Sequence, residues 1–522
     1  MLAFLLFCVT PFYFLLLISL GETRTTRRKH ETLSQELGTT QRSSKQPNLE
    51  TRDVNGTKYV FMHIIVGSAY KLLLMIPTSL KVPPILHKTR KMVLTLDMSS
   101  LLKTPNRYNY NYSHWVSDFQ MMKNYSIDAA ALNIGKTGDW QHQQILSAYD
   151  AATAVGFSVF ISFDYTSFDC NTTTTISYVN ENKNKPSQFK VNGKPFISSF
   201  SGYCLGASGW MTVKNSTGGY LMPFIYGQDD QQLKSTGTWG FLDSWLCWGC
   251  AWPQGNYSKN TNDDMYYYSI LGKRLAYTVS PWFYTHYSKD NRYLRGDDWL
   301  INTRWEEIVQ MRDNITFVEM VAWNDFGESS YMGPLSSGLA PDGTTWISNM
   351  PHNPWLDLSK WYITAYKTGT YPPVTQDGIY YWLRPHPASI QASNDPLPKP
   401  TGWNWTQDTL WAVVFCTGTP CSATLKVGTV SQQFNGLVVG VNKIKLLLAG
   451  PGSVTVQMQR NGQLVVNDTP SDFQYRNTTV TYNYNAYVRY AGGTAPVVKT
   501  SNTVVGLTLG LDTGSLLDGS VV

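Results

Sequence analysis

Two carboxylates stand three residues apart in the segment 317–329, FVEMVAWNDFGES. The apolar run 317–322 reads as a buried strand. The turn behind it puts Asp325 and Glu328 at the strand's C-terminal end, beside Trp323 and the carboxamide of Asn324. A carboxylate pair at a strand mouth can do acid–base work on a glycosidic bond: one group protonates the departing oxygen and the other activates water. The spacing D-x-x-E is common by itself, and a polar turn with Asp capping the next helix has the same letters. The surroundings must carry the rest.

Other polar and aromatic groups mark the ends of further apolar runs. His63 lies inside the first run, Asn133 ends the second, and Asp164 ends the third with Asp169 behind it. A carboxamide can bond sugar hydroxyls, and Asp164 can bind a hydroxyl or raise a neighbouring carboxyl's pKa through like charge. Trp248, Trp282, Tyr284 and Trp323 fall at later run ends, where ring faces suit stacking on sugars. Each has a plain structural alternative: a satisfied core histidine, a turn, a helix cap, a core ring.

Eight short apolar runs must position these groups: 59–67, 129–135, 157–163, 195–202, 221–227, 244–250, 276–280 and 317–322. Helical spacing of apolar residues appears at 113–125, 142–155, 298–312 and 354–367, the last stopping at Gly369 before Pro372 and Pro373. Near-continuous apolar strands alternating with helices predict a parallel sheet covered by helices. Eight such units over 58–371 predict a (β/α)8 barrel of the TIM type, whose active sites lie at the C-terminal strand ends. A doubly wound open sheet is the competitor, and no phosphate-binding glycine fingerprint supports it. From about residue 372 alternating stretches take over, at 409–415, 422–427, 437–448, 453–459 and 478–484. They predict an all-β sandwich-like domain over 372–494, either a carbohydrate-binding module or a packing partner.

The chain resembles the fungal α-1,3-glucanases, or mutanases, of glycoside hydrolase family 71. The resemblance is carried by VFMHIIVG from Val60, SHWVSDFQMMKNYSIDAAALNIG from Ser113, VFISFDYTSFDC from Val159, VSPWFYTHYSKDNRYLRGDDW from Val279 and VEMVAWNDFGES from Val318. It implies a (β/α)8 barrel that hydrolyses α-1,3-glucan with inversion, with Asp325 and Glu328 as the catalytic carboxylates and their two roles unassigned. His63, Asn133, Asp164, Trp248, Trp282, Tyr284, Trp323 and Asn324 are the expected substrate contacts. Two other classes stay open: a transglycosylase remodelling wall α-glucan, and a wall-glucan-binding protein without turnover.

Composition fits a sugar-processing surface. Aromatics make up 14% of the chain and charged residues only 15%, and sugars are held by stacking and neutral hydrogen bonds. The net charge of +6 belongs to the N-terminal region: residues 1–107 hold 15 Lys+Arg against 6 Asp+Glu, the other 415 hold 27 against 30. The body therefore offers no case for nucleic-acid binding.

Residues 1–21 read as a signal peptide, with a signal anchor as the alternative, and 22–57 as a disordered linker. Ten N-x-S/T sequons support the secretory route, at Asn55, Asn111, Asn124, Asn171, Asn215, Asn256, Asn314, Asn404, Asn467 and Asn477. Six cysteines follow the leader. Cys416 and Cys421 predict a loop disulfide, Cys170 and Cys204 fall in adjacent strand-end loops, and Cys247 and Cys250 form a C-x-x-C. That last pair lacks thioredoxin context and has no second metal-spaced pair, so structural disulfides are expected and neither metal nor cofactor. The stretch 71–107 has no aromatic, no glycine and seven basic residues against one acidic. Its 37 residues read as an in-frame retained intron, with a long disordered surface loop as the alternative, lying outside the barrel in either case. The tail 495–522 is rich in Gly, Ser and Thr and reads as disordered.

Overall fold

The computed structural model describes residues 56–66, 110–135, 138–335 and 343–492. The leader, all but the last two residues of the linker, the stretch 71–107, the tail 495–522 and the sequon at Asn55 lie outside the described residues. Every one of the eight apolar runs forms a strand: β1 (Tyr59–Ile65), β2 (Ala129–Ile134), β3 (Ser158–Asp164), β4 (Lys194–Phe200), β5 (Tyr220–Phe224), β6 (Trp245–Leu246), β7 (Leu275–Val279) and β8 (Phe317–Met320). They pair in parallel in the order β5-β4-β3-β2-β1-β8-β7-β6, with the short strand Lys190–Val191 antiparallel on β4. The sheet grows from β1 in both directions, and its edge strands approach each other where Ser244 N–H donates to Leu221 O at 2.8 Å. No ladder joins β5 to β6 among the described residues, so the result is a mixed α/β body with a curled parallel sheet.

Period two decides what each strand shows to the inside. Phe61, Ala131, Phe160, Phe196, Tyr220 and Phe317 belong to one buried cluster within the curl. Phe61 packs edge-on against Phe160 at 5.0 Å and Phe196 at 5.3 Å, and Phe196 stacks on Tyr220. The alternate residues Val60, Met62, Ile64, Leu132, Val318 and Met320 join a larger cluster with the helices. The inward rows continue toward the strand ends as His63, Asn133, Asp164, Phe200, Phe224, Trp248 and Glu319, so an apolar plug underlies a mixed polar and aromatic mouth.

Helices α1 (Tyr112–Asn124), α2 (Asp139–Val155), α3 (Thr172–Asn182), α4 (Gly206–Thr217), α5 (Asn262–Leu271), α6 (Leu300–Gln310) and α7 (Asn353–Thr368) connect the strands. Asn111 caps α1 by accepting from His114 N–H, and α7 ends at Gly369, whose φ of 81° is a left-handed conformation that glycine adopts freely. Fully buried Arg304 of α6 forks onto Asp264 of α5 at 2.6 and 2.7 Å and donates from Nε to Thr278 O on β7. One guanidinium thereby fixes two helices on one strand.

The C-terminal region holds two four-stranded antiparallel sheets. The first has β9 (Gly378–Leu383), β10 (Thr409–Cys416), β13 (Gly440–Leu447) and β16 (Tyr487–Gly492); the second has β11 (Cys421–Val427), β12 (Val430–Leu437), β14 (Val454–Arg460) and β15 (Gln463–Asp468). Tyr381, Val414, Leu425, Val456 and Met458 share one core between them. The other face of the first sheet, with Trp382, Trp411 and Val488, lies in the large cluster with the helices. One sequence expectation needs correcting. Segment 478–484 is not a strand but an extended strap over the parallel-sheet body, because its tyrosines bond across to that body.

Candidate active site

Behind β8 the chain is tied down on three sides. The carboxamide of Asn324 accepts from Ile65 N–H at 2.8 Å and donates to Ile65 O at 3.0 Å, extending the β1 edge like another residue of a ladder. Trp323 N–H donates to His63 O at 2.7 Å, and its indole N–H donates to buried Asp118 of α1 at 2.9 Å. Asp325 accepts from Glu328 N–H at 3.0 Å through Oδ1, closing the turn, while Glu328 O accepts from Tyr284 N–H at 2.9 Å. Ser329 Oγ donates to Tyr284 O, and Trp346 donates to Ser329 Oγ. Both carboxylates are half-buried at the mouth, with their backbone clamped from β1, α1 and the loop after β7.

The two carboxyls also act on each other electrostatically. Burial pushes Glu328 well above the ordinary carboxyl range, the Asp325 charge adds to the rise, and Arg292 opposes it. Asp325 is raised too, again chiefly by burial; the Glu328 N–H, His63 and the Glu328 side chain pull it back, and Asp164 pushes it up. Of the two, Glu328 is held the further above the ordinary carboxyl range, and their titrations are linked.

Beside the pair, His63 is buried and its Nδ1 lies 2.8 Å from Glu319 Oε1. Glu319 is fully buried in β8, and its second oxygen has no hydrogen-bond partner among the described residues. A carboxylate only accepts, so Nδ1 carries the hydrogen and the tautomer is fixed from below. His63 stands edge-on to Trp248 at 4.8 Å, and a proton taken up on its other ring nitrogen would favour the ionised forms of Asp164 and Asp325. Asp164 is raised by burial, with Thr166 N–H and Oγ–H donating to it. Asn133 is buried at the end of β2. His63, Asp164, Trp248, Asp325 and Glu328 thus ring one mouth. Glu319 went unread in the sequence, though a lone acid at an inward position of an apolar strand was a usable signal.

Four expected substrate contacts fall elsewhere. Trp282 is 1% exposed and donates to Tyr484 O at 2.9 Å; Tyr284 is 0% exposed and donates to Tyr482 O at 3.0 Å. Trp323 is also 0% exposed, with no ring face left for a sugar. The Asn324 carboxamide is spent on Ile65. All four build the support of the dyad instead. Among the described residues no group of three or more His, Cys, Asp or Glu side chains could hold a metal ion. Disulfides join Cys170 to Cys204, Cys247 to Cys250 and Cys416 to Cys421; the first ties the loop after β3 to the loop after β4.

The Glycosyl hydrolase family 71 model matches residues 100–501. The chain is 32% identical to a glucan endo-1,3-alpha-glucosidase of Schizosaccharomyces pombe over 73% of this chain and 91% of that protein. It is 29% identical to a mutanase of Penicillium rubens, covering 73% and 85% of the two, and 26% identical to an ascus wall endo-1,3-alpha-glucanase of Schizosaccharomyces pombe, covering 72% and 93%.

Proposed function

The chain belongs to glycosyl hydrolase family 71, and from that premise we propose that it is an enzyme hydrolysing the α-1,3-glucosidic bonds of fungal wall glucan. The observation that carries the site assignment is the clamped, mutually interacting pair Asp325 and Glu328 at the C-terminal end of the parallel sheet. Glu328 is the general acid: its raised pKa keeps a proton available for the departing glycosidic oxygen. Asp325 is the general base: it takes a proton from the water that attacks the anomeric carbon as the bond to oxygen breaks. An α-linked substrate then yields a β-configured product. After turnover Asp325 holds a proton and Glu328 lacks one, and exchange with water at the open mouth returns both to their starting states.

Inverting pairs work at about 6.5–9.5 Å, leaving room for the water. The mutual influence of the two carboxyls sets them close together, so substrate and water must part them. The same closeness favours a second reading, in which the dyad acts as one proton donor and Asp164, within electrostatic reach of His63 and Asp325, is the base.

We read the curled sheet as a (β/α)8 barrel with its seam between β5 and β6, and the C-terminal sheets as its packing partner. The outward positions Ser422, Thr424, Thr455, Gln457, Gln459, Val465 and Asn467 of the second sheet carry no aromatic ring for stacking on sugar. Secretion to the wall is supported by the disulfides and by the sequons. All nine described sequon asparagines are exposed, and none donates from its amide nitrogen to a described residue. Asn182, Asn302, Asn324, Asn442, Asn483 and Asn485, outside sequons, all do. The nitrogen that a glycan would need is therefore left open at each. Among the described residues no helix is long and apolar enough to cross a membrane.

The test is reducing-sugar release from α-1,3-glucan, α-1,4-glucan, β-1,3-glucan and dextran by the secreted protein. Release from α-1,3-glucan alone is expected. Longer chains among the products would point to transglycosylation, and binding without release would remove catalysis.

A further inference from the structure

Trp282, Tyr284 and Trp323 are buried, yet the mouth still offers ring faces. Phe200, Phe224, Tyr226 and Trp248, all half-buried, touch one another at the ends of β4, β5 and β6. Phe200 lies 4.9 Å from Trp248 and 5.5 Å from Phe224, and Phe224 lies 5.4 Å from Tyr226. Trp248 is also the ring against His63. The row therefore starts beside the dyad's own neighbours and leads away from them.

It leads to a cleft. The loops after β4 and β5, which carry Phe200 and Tyr226, also wall a cavity of about 410 Å³ lined by Tyr203, Gln228, Asp229, Gln232, Thr238 and Trp239 among others. Tyr203 is 52% exposed, with buried Trp239 behind it at a ring distance of 6.3 Å. Gln228 donates to Ile225 O at 3.2 Å, which fixes its amide, and its Oε1 is buried with no partner among the described residues. Gly202 makes the tight path from Phe200 to Tyr203: its φ is 112°, and a Cβ there would come within 2.9 Å of Trp210. The Cys170 to Cys204 disulfide then anchors the loop. Asp229 is the lone charged side chain lining this cleft. Exposed rings among neutral donors and acceptors are the chemistry that holds a neutral sugar chain.

We propose that the ring row Trp248, Phe200, Phe224 and Tyr226 and the cleft under Tyr203 are distal subsites, which bind glucosyl units of the α-1,3-glucan chain beyond the scissile bond. This rests on the substrate reading above. It makes the loops after β4 and β5 the determinant of preference for long chains.

The experiment compares kcat/KM on polymeric α-1,3-glucan with kcat/KM on the shortest α-1,3-oligosaccharide the enzyme cleaves, for wild type, Tyr203→Ala, Tyr226→Ala and Tyr203→Phe. Each alanine variant should lower the polymer-to-oligosaccharide ratio by about 2- to 10-fold, the scale of one ring contact, and Tyr203→Phe should restore it. Ratios unchanged in both alanine variants, with wild-type melting midpoints, would overturn the subsites while leaving the catalytic reading intact. A wild type inactive on both substrates would overturn the parent reading and the subsites with it.

Discussion

Glu328 and Asp325 sit where ionisation is costly, and that cost has a sign. Both are raised by burial, so the fold favours their protonated forms. Their contribution to stability is present below the ordinary carboxyl range and is lost as pH rises through the folded-state values. Glu328→Gln should therefore melt higher than wild type near neutral pH, with the gap closing in acid. Thermal melts across that range check it; a variant that melts lower at neutral pH contradicts the assignment. Glu319 makes a second case. A buried carboxylate bonded to one histidine is not there for stability alone, since such pairs barely offset their desolvation. We assign it as a positioning residue for His63. Glu319→Gln keeps an acceptor for Nδ1–H but removes the carboxylate, so kcat should fall about tenfold with KM little changed. An unaltered kcat, or a change in KM alone, would make Glu319 a structural group only.

Among the elements, the eight parallel strands were legible because buried strands are apolar end to end and stop at polar turns. The helix spans 113–125, 142–155, 298–312 and 354–367 were legible by their apolar stripes. Helix α3, TTTTISYVNEN, was not: four threonines are poor helix formers, and the Asn171 cap with packing of Thr175 and Val179 overrides them. Strand 478–484 was misread because alternating Thr and Tyr letters describe a strap as well as a strand. The turn that holds Asp325 and Glu328 was legible as a polar strand end. The ring platform was not, because Trp at a strand end has the same letters whether it faces the mouth or props the loop behind it. Trp282 and Tyr284 prop the loop by bonding to the strap at Tyr484 and Tyr482. Phe200, Phe224 and Tyr226 read as ordinary strand residues.

At the scale of the molecule, that strap links chemistry to the C-terminal sheets. Glu328 O is held by Tyr284 N–H, Tyr284 OH by Tyr482 O, and Tyr482 N–H by Asp395, which also holds His286. Trp299 of the parallel-sheet body donates to Ala412 O in β10, and Trp355 packs edge-on to Trp382 of β9. Scanning calorimetry of the full chain should accordingly give one cooperative transition, and a chain ending at residue 371 should lose activity. Two well-separated transitions, or an active truncated chain, would show the β region to be an appendage. The central claim remains the carboxyl pair. Its most direct test is the initial rate of reducing-sugar release from α-1,3-glucan by wild type, Glu328→Gln, Asp325→Asn and Asp164→Asn at matched fold. Glu328→Gln and Asp325→Asn should each lose at least about 10²-fold in kcat, the scale of acid–base catalysis, with Asp164→Asn losing less. Near-wild-type turnover by Glu328→Gln would contradict the account, and a loss in Asp164→Asn as deep as in the dyad would hand the base to Asp164.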